Sequence, residues 1–487
     1  MTERIRRREF LQAAALAPAL VAPFIDGGRV QTDGGRVFRP GDQTDARLTD
    51  IATLITAKMT EYHVPGVALG IIKDGQLTLR GFGVTNVDDP QPILDNTIFT
   101  IASISKTFTA TAVMKLVEQG KVELKAPVQK YLPEFRVLDE AASREVTLWH
   151  LLTHSPGWEG QLSSEDRGAE ALAHFATTIL RDVPQLAKPG EVWSYNNAGF
   201  SLAGRVIEVV TGRGIHDALR ELVFTPLGLT RTFTRVQDAM TYRLSLGHRE
   251  QGGRTQVIRP YQGTSGTTAG GVMTSISDLM KYARFHLSDG APLLTRALVD
   301  EMKTPQLRKN STDDEMGAGW HLRKVGGIQT AAHGGTLNGH CLLVELVPSR
   351  NLAFAILTNH TDGWRLVQDV EAAILKGYES VALGPSQRIG HRGVNEAMTF
   401  HSKELATPPN FDQYLGTYRR PPNGNVVVRH EDGRLIIGGA TVAFYGPDVA
   451  YATAGAYVGS PYEFIRTSDG KVGWVRVNGR IARKEST

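Results

Sequence analysis

A serine and a lysine three residues apart can do acyl chemistry if the lysine amine reaches the serine hydroxyl. Ser103 and Lys106, within Thr100-Ile-Ala-Ser-Ile-Ser-Lys-Thr107, have that spacing where a helix should begin. On a helix, positions i and i+3 share a face, with Cβ atoms about 5–6 Å apart. Ser105 is adjacent to Lys106 and points elsewhere, so Ser103 is the nucleophile candidate. A serine hydroxyl attacks poorly until a base takes its proton. Lys106 can be that base if its pKa is lowered or a partner shares the proton. Alone, the pair also fits a capped helix over Lys106–Glu118 with a solvated lysine.

Two further groups supply what such a pair would need. Tyr195-Asn196-Asn197 follows the turn-rich run Lys188-Pro-Gly-Glu-Val-Trp-Ser194. There Tyr195 can project into a cleft as a second proton carrier, and Asn197 can hold a substrate amide. His333-Gly334-Gly335-Thr336 closes an expected strand, where glycines let a substrate lie against the backbone. The N–H groups of Ser103 and Thr336 could then form an oxyanion hole, each donor worth about 3–4 kcal/mol. No Gly-x-Ser-x-Gly turn surrounds Ser103, which argues against an α/β-hydrolase.

The elements that must position these residues follow from periodicity. Ala46–Tyr62 carries a helical stripe, Leu48, Ile51, Ile55 and Met59. Val67–Ile72 and Leu77–Phe82 read as two strands around Lys73-Asp74-Gly75. The Ser103 helix presents Phe108, Val113, Leu116 and Val117 and should stop at Gly120. From Ala126 to Leu227 the signals are helical, over Val146–His154, Ala169–Leu180 and Gly199–Val210. Helices are expected again over Gly270–Leu287 and Leu293–Met302. Short β-rich runs follow at Gly319–Arg323, Ile328–Ala332, Cys341–Val347 and Leu352–Thr358, then a helix over Leu366–Leu375. This order predicts an α/β (α+β) domain: one antiparallel sheet built from both ends, flanked by helices, with an all-helical lobe between. Residues 46–380 form that domain and 381–410 a Pro- and Gly-containing linker. Residues 411–487 form a small all-β, barrel-like module, with strands at Tyr414–Arg419, Val426–His430, Leu435–Gly438, Thr441–Phe444, Tyr462–Thr467 and Val472–Val477.

Ser103-x-x-Lys106, Tyr195-x-Asn197 and His333-x-Gly335 together resemble, in order and spacing, the motifs of the serine β-lactamase and penicillin-binding-protein superfamily, class C-like branch. Leu151-Leu-Thr-His-Ser-Pro-Gly157 and Ala269-Gly-Gly-Val-Met-Thr-Ser275 look like that family's connecting segments, and the resemblance covers about Ala46–Leu375. It implies the β-lactamase/transpeptidase fold and a Ser103 acyl-enzyme. It also implies a base role shared by Lys106 and Tyr195, and Asn197 orienting Lys106 and a substrate amide. His333, Gly335 and Thr336 would face the substrate from the sheet edge. No metal or organic cofactor is implied. Members that act well on β-lactams usually carry Lys-Thr-Gly where this chain has His333-Gly-Gly. A neutral histidine holds an anion less strongly than a lysine. The chain therefore looks more like the branch's esterases, D-amino-acid peptidases and amidases. A non-catalytic ligand-binding or scaffold protein on the same fold is the alternative.

The resemblance implies a small-molecule ester, amide or peptide as the partner, and composition removes another class. The 487 residues hold 54 Lys+Arg against 50 Asp+Glu, four of those arginines lying within the first eight residues. Nucleic-acid binding has no electrostatic support. The single cysteine, Cys341, lies in an apolar run and is expected to be a buried structural thiol. Arg6-Arg7-Arg8-Glu-Phe-Leu followed by the alanine-rich Ala13–Phe24 resembles a twin-arginine export signal, with residues 1–45 as signal and leader. Export to the periplasm or beyond is the expectation, with a cytoplasmic location the alternative. No later run is long enough to span a membrane.

Overall fold

Period-two alternation fixes which side of the central sheet each residue faces. In the computed structural model, eight antiparallel strands lie in the order Gln76–Gly83, Gly66–Lys73, Leu352–Thr358, His340–Val347, Ile328–Leu337, His321–Val325, Glu315–Met316, Leu307–Arg308. Leu342, Val344 and Leu346 join one hydrophobic core with Ala353, Ala355 and Leu357. Cys341, Leu343 and Val347 join the other with Leu352, Phe354 and Ile356. Strands buried on both faces read as near-continuous apolar runs, as these two do apart from the buried Glu345. The first core holds the buried helix Ser105–Glu118 and the helix Ile276–Leu287; the second holds the helices Ala46–Glu61 and Gly363–Glu379.

The structure describes residues 45–485 apart from 163, 165, 167, 260–262, 310–313, 384–404, 406–408, 456 and 457. The export-signal residues and most of the 381–410 linker lie outside the described residues. Among the described residues, no helix is long and apolar enough to cross a membrane. Cys341 is buried.

Several elements differ from expectation for local reasons. The helix expected over Gly270–Leu287 begins only at Ile276, where the Ser275 hydroxyl accepts the Asp278 N–H (3.2 Å). Met273–Ser275 before it is a strand, paired with Ile98–Thr100 and Thr232–Phe233. The strand expected to stop at Ala332 continues to Leu337, because His340–Val347 pairs with it along that length. A hairpin of Gly247–Gln251 and Arg254–Ile258 turns on Gly252-Gly253, both at positive φ.

The C-terminal module is a closed eight-stranded antiparallel barrel. Val449–Gly455 and Arg480–Lys484 are its two strands beyond the six expected. Its interior is filled: Tyr414, Tyr418, Phe444 and Phe464 pack together with valines and alanines. Closure leaves no unpaired edge. Sheet, helical lobe and barrel form one unit.

Candidate active site

Ser103 lies on a 3-10 turn, Ala102–Ile104, just before the helix Ser105–Glu118. Ala102 has φ +48, an uncommon conformation for a residue with a Cβ and one that clusters at functional sites. The turn rests on the strand Ile328–Leu337. Along this strand His321–Val325 reaches no further than Ile328–Ala332, so His333–Leu337 presents an edge free of that neighbour. Strand parity puts Ala331, His333, Gly335 and Leu337 on the nucleophile side. Gly335 is required there: a Cβ would lie 2.5 Å from the Ile101 carbonyl oxygen and 3.0 Å from the Ala102 Cβ. Thr336 faces the other way, and its hydroxyl accepts the Trp364 indole N–H at 2.5 Å. Only its backbone remains for the cleft.

Lys106 is fully buried, with Nζ 3.2 Å from Ser103 Oγ and 2.5 Å from the Ala269 carbonyl oxygen. Burial, with a contribution from the Arg480 cation, pushes its pKa well below the ordinary lysine value, favouring the neutral amine. Tyr195 lies on the same side of the site, its ring centre 4.9 Å from the Lys106 amine, and burial pushes its pKa up to about 12 although Ser103 and Arg480 oppose the shift. Both shifts favour the uncharged forms, an amine beside a protonated phenol. Ser105 is committed elsewhere. Its hydroxyl donates to the Ala102 carbonyl (2.6 Å) and accepts the Val272 N–H (2.9 Å). It ties the Ala269–Ser275 segment to the nucleophile turn.

Asn196 holds the Tyr195 loop. It caps the helix Asn197–Thr211 by accepting the Gly199 N–H (2.7 Å), and its amide donates to the Trp158 carbonyl (2.8 Å). Asn197, the first helical residue, donates to Gln161 Oε1 (3.4 Å), while Ala269 is the second partner of Lys106. His333 is buried, and its Nδ1–H donates to the Gly334 carbonyl (2.7 Å). Burial, then the Lys106 and Lys309 charges, push its pKa down to about 3, so it carries no charge at neutral pH. His154 and His321 complete a ring-lined wall: His154 lies 4.5 Å from Tyr195 and His321 4.9 Å from His333, centroid to centroid.

The barrel enters this site. Its last hairpin, Val472–Val477 with Arg480–Lys484, turns on Asn478-Gly479, both at positive φ. The Gly479 carbonyl accepts the Tyr195 N–H (2.8 Å), and the Ile481 N–H donates to Ser194 Oγ (3.2 Å). Arg476 donates to the Trp193 carbonyl (3.0 Å), and the Trp474 indole to the Leu186 carbonyl (2.7 Å). The Arg480 guanidinium carbon lies 5.4 Å from the Tyr195 ring centre. Sequence reasoning singled out none of Ala269's carbonyl, His154, Glu159, Gln161, His321 or Arg480 as site residues. The Asn-Gly turn was the available signal for the hairpin.

Residues 51–378 match the family model described as Beta-lactamase. Penicillin-binding protein 4 of Amycolatopsis lactamdurans is 33% identical over 317 residues, 62% of this chain and 83% of the relative. The crystal structure of SurE aligns with a TM-score of 0.75 at 24% identity, covering 90% of this chain and 99% of SurE; SurE with D-Leu aligns at 0.73. A class C β-lactamase from Rhodobacter sphaeroides aligns at 0.57 and 24% identity, over 67% of this chain and 99% of its own. These structural likenesses are likenesses of fold. With its antiparallel sheet, helical lobe and family match over most of its length, the chain belongs to the Beta-lactamase family of serine hydrolases.

Proposed function

We propose that the protein hydrolyses an ester or amide through an acyl-enzyme on Ser103. The observation that carries this reading is the buried Lys106 amine, 3.2 Å from Ser103 Oγ and 4.9 Å from the Tyr195 ring centre. Ser103 Oγ attacks the substrate carbonyl carbon and its proton passes to Lys106. The N–H groups of Ser103 and Thr336 hold the oxyanion. As the carbonyl–leaving-group bond breaks, Tyr195 gives its proton to the departing atom. The acyl-enzyme then stands beside a lysine ammonium and a tyrosine phenolate. Water attacks the acyl carbon as its proton goes to Tyr195. The ester bond to Ser103 breaks, Lys106 returns a proton to Oγ, and the acid leaves. Asn197 holds the substrate amide, and His333 and Gly335 line the path along the strand edge.

The neutral His333 supports acyl groups other than a β-lactam, because it offers no charge to the drug's carboxylate. A structural neighbour has been captured with D-Leu, which supports including D-amino-acid derivatives among the substrates. The arginine-rich leader supports a site of action outside the cytoplasm.

Intact mass and turnover would be measured with a p-nitrophenyl ester, a D-alanyl peptide amide, a penicillin and a fluorophosphonate. Wild type should form a fluorophosphonate adduct and turn over the ester with little penicillin hydrolysis. Ser103→Ala should lose the adduct and about a thousandfold or more in kcat/KM, with its thermal transition unchanged. Full activity in Ser103→Ala would sink the mechanism, and no adduct in wild type would leave a binding protein as the better account.

A further inference from the structure

We propose that His154 is a positioning residue for Tyr195, its Nδ1 and its carbonyl holding the backbone on both sides of the tyrosine while its ring packs on the phenol. This rests on the acyl-enzyme reading above, in which Tyr195 gives a proton to the leaving group and takes one from water.

His154 stands where the backbone alone would favour another residue. It is the second residue after the short helix Leu148–Leu152, and its φ is +58. Glycine is the usual occupant of a left-handed position at a helix end, because it has no Cβ. Histidine enters that region more readily than most residues, but still at a cost. A fully buried histidine held there points to contacts of its side chain that glycine could not make.

Those contacts converge on residues 194–196. The His154 carbonyl accepts the Ser194 N–H (2.9 Å), and Nδ1 accepts the Asn196 N–H (2.9 Å). A backbone N–H only donates, so Nδ1 carries the lone pair and the ring proton sits on Nε2. The Tyr195 N–H between them goes to the Gly479 carbonyl (2.8 Å). Each backbone N–H from Ser194 to Asn196 is thus held, two of the three by His154. The imidazole lies 4.5 Å from the Tyr195 ring, centroid to centroid, at 32° between planes. Phe200 at 5.1 Å and Trp193 at 6.1 Å pack on the imidazole in turn.

The chain that follows His154 continues the grip. The Gly160 carbonyl accepts the N–H groups of Asn197 and Ala198 (3.1 Å each). A Cβ on Gly160 would lie 2.4 Å from both the Asn196 Cα and the Tyr195 carbonyl oxygen. Phenylalanine at position 154 would fill a similar volume, yet it would leave the buried Asn196 N–H without its acceptor. Burial above all pushes the His154 pKa well below the ordinary histidine value, which keeps the Nδ1 lone pair available. A proton carrier displaced by about 1 Å can cost a hundredfold in rate, so this bracing bears directly on turnover.

The test is a double-mutant cycle of His154→Phe and Tyr195→Phe, read as kcat and KM on a p-nitrophenyl ester. His154→Phe alone should lower kcat roughly 10- to 100-fold, with KM within about threefold of wild type. In the Tyr195→Phe background the same change should alter kcat by less than about twofold, because the group it positions is gone. His154→Asn tolerates positive φ and sets an oxygen near the Nδ1 position, so kcat should recover to within about fivefold of wild type. If His154→Phe does not fold, the cycle is run with His154→Gln, whose amide reaches toward the Nε2 position instead. Wild-type kcat in His154→Phe, an equal loss in the Tyr195→Phe background, or an asparagine variant no better than phenylalanine would overturn the proposal. Fluorophosphonate labelling of wild-type Ser103 separates the two levels. Absent labelling removes the acyl-enzyme reading, whereas labelling with an additive cycle removes only the role of His154.

Discussion

A fully buried arginine–glutamate cluster and a partly exposed one lie on opposite sides of the sheet, and they meet their charge in different ways. On the face away from the nucleophile, Arg323 meets both Glu345 (2.7 and 2.8 Å) and Glu371, with both carboxylates fully buried. On the cleft side, Glu159 meets both Arg420 and Arg480. The negative surplus can be relieved chemically. Burial, with the repulsion of Glu345, pushes the Glu371 pKa up to about 8 although Arg323 opposes it, so the group can hold a proton at neutral pH. Around Glu159 the cations reach water instead, the Arg420 and Arg480 side chains being about a quarter and a fifth exposed. One cluster answers its charge by taking up a proton, whereas the other is screened by solvent.

The largest effect should come from Arg323→Met, which leaves two buried carboxylates without a cation. Breaking a buried ion pair from one side costs roughly 3–5 kcal/mol, and the urea midpoint at pH 7.5 should fall accordingly. The loss should shrink as pH falls and Glu371, whose pKa burial raises, takes up its proton. The midpoint of kcat/KM against pH should not move, since this cluster lies across the sheet from Ser103. A shifted rate profile would mean that the two clusters are not independent.

A smaller change should follow from Glu371→Gln. In the wild type, the folded-state pKa of Glu371 lies above its unfolded value of 4.5. The native state therefore binds more protons between about pH 4.5 and pH 8. The stability this residue contributes is complete below that window and is lost as pH rises through it. A glutamine stays neutral and keeps the side chain's shape. It should flatten the decline and leave the variant more stable than wild type at pH 8 by about 1–2 kcal/mol. An unchanged slope of stability with pH would place the proton elsewhere.

Legibility in the sequence divides along the same line. The sheet's central strands were readable because nearly every residue on both faces is apolar, Glu345 excepted, so Cys341–Val347 and Leu352–Thr358 stand out as strands. Ser103 and Lys106 were readable because their contact is local, although the 3-10 turn and the strained Ala102 were not. Gly335 was noted for room beside a substrate. Its packing reason, the close approach of Ile101 and Ala102, needed the fold. The charge clusters left no local pattern: Arg323 finds Glu371 through a helix on the sheet's far face, and Arg480 finds Tyr195 from the other end of the chain. Asn478-Gly479 announced a hairpin but not the surface that it meets. Spacing carries a local pair; a field assembled from distant segments has no period to detect.

The finest test of the contrast is Arg420→Met. Its side chain is about a quarter exposed, and its ionic contact with Glu159 is 3.4 Å. Partly exposed pairs are worth about 0–1 kcal/mol, so the urea midpoint should barely move. This contrasts with Arg323→Met, where both carboxylates are fully buried and water cannot take the cation's place. If Arg420→Met instead lowers stability by the roughly 3–5 kcal/mol expected of a buried pair broken from one side, Glu159 depends on Arg420 as strictly as Glu371 depends on Arg323, and solvent exposure does not separate the two clusters.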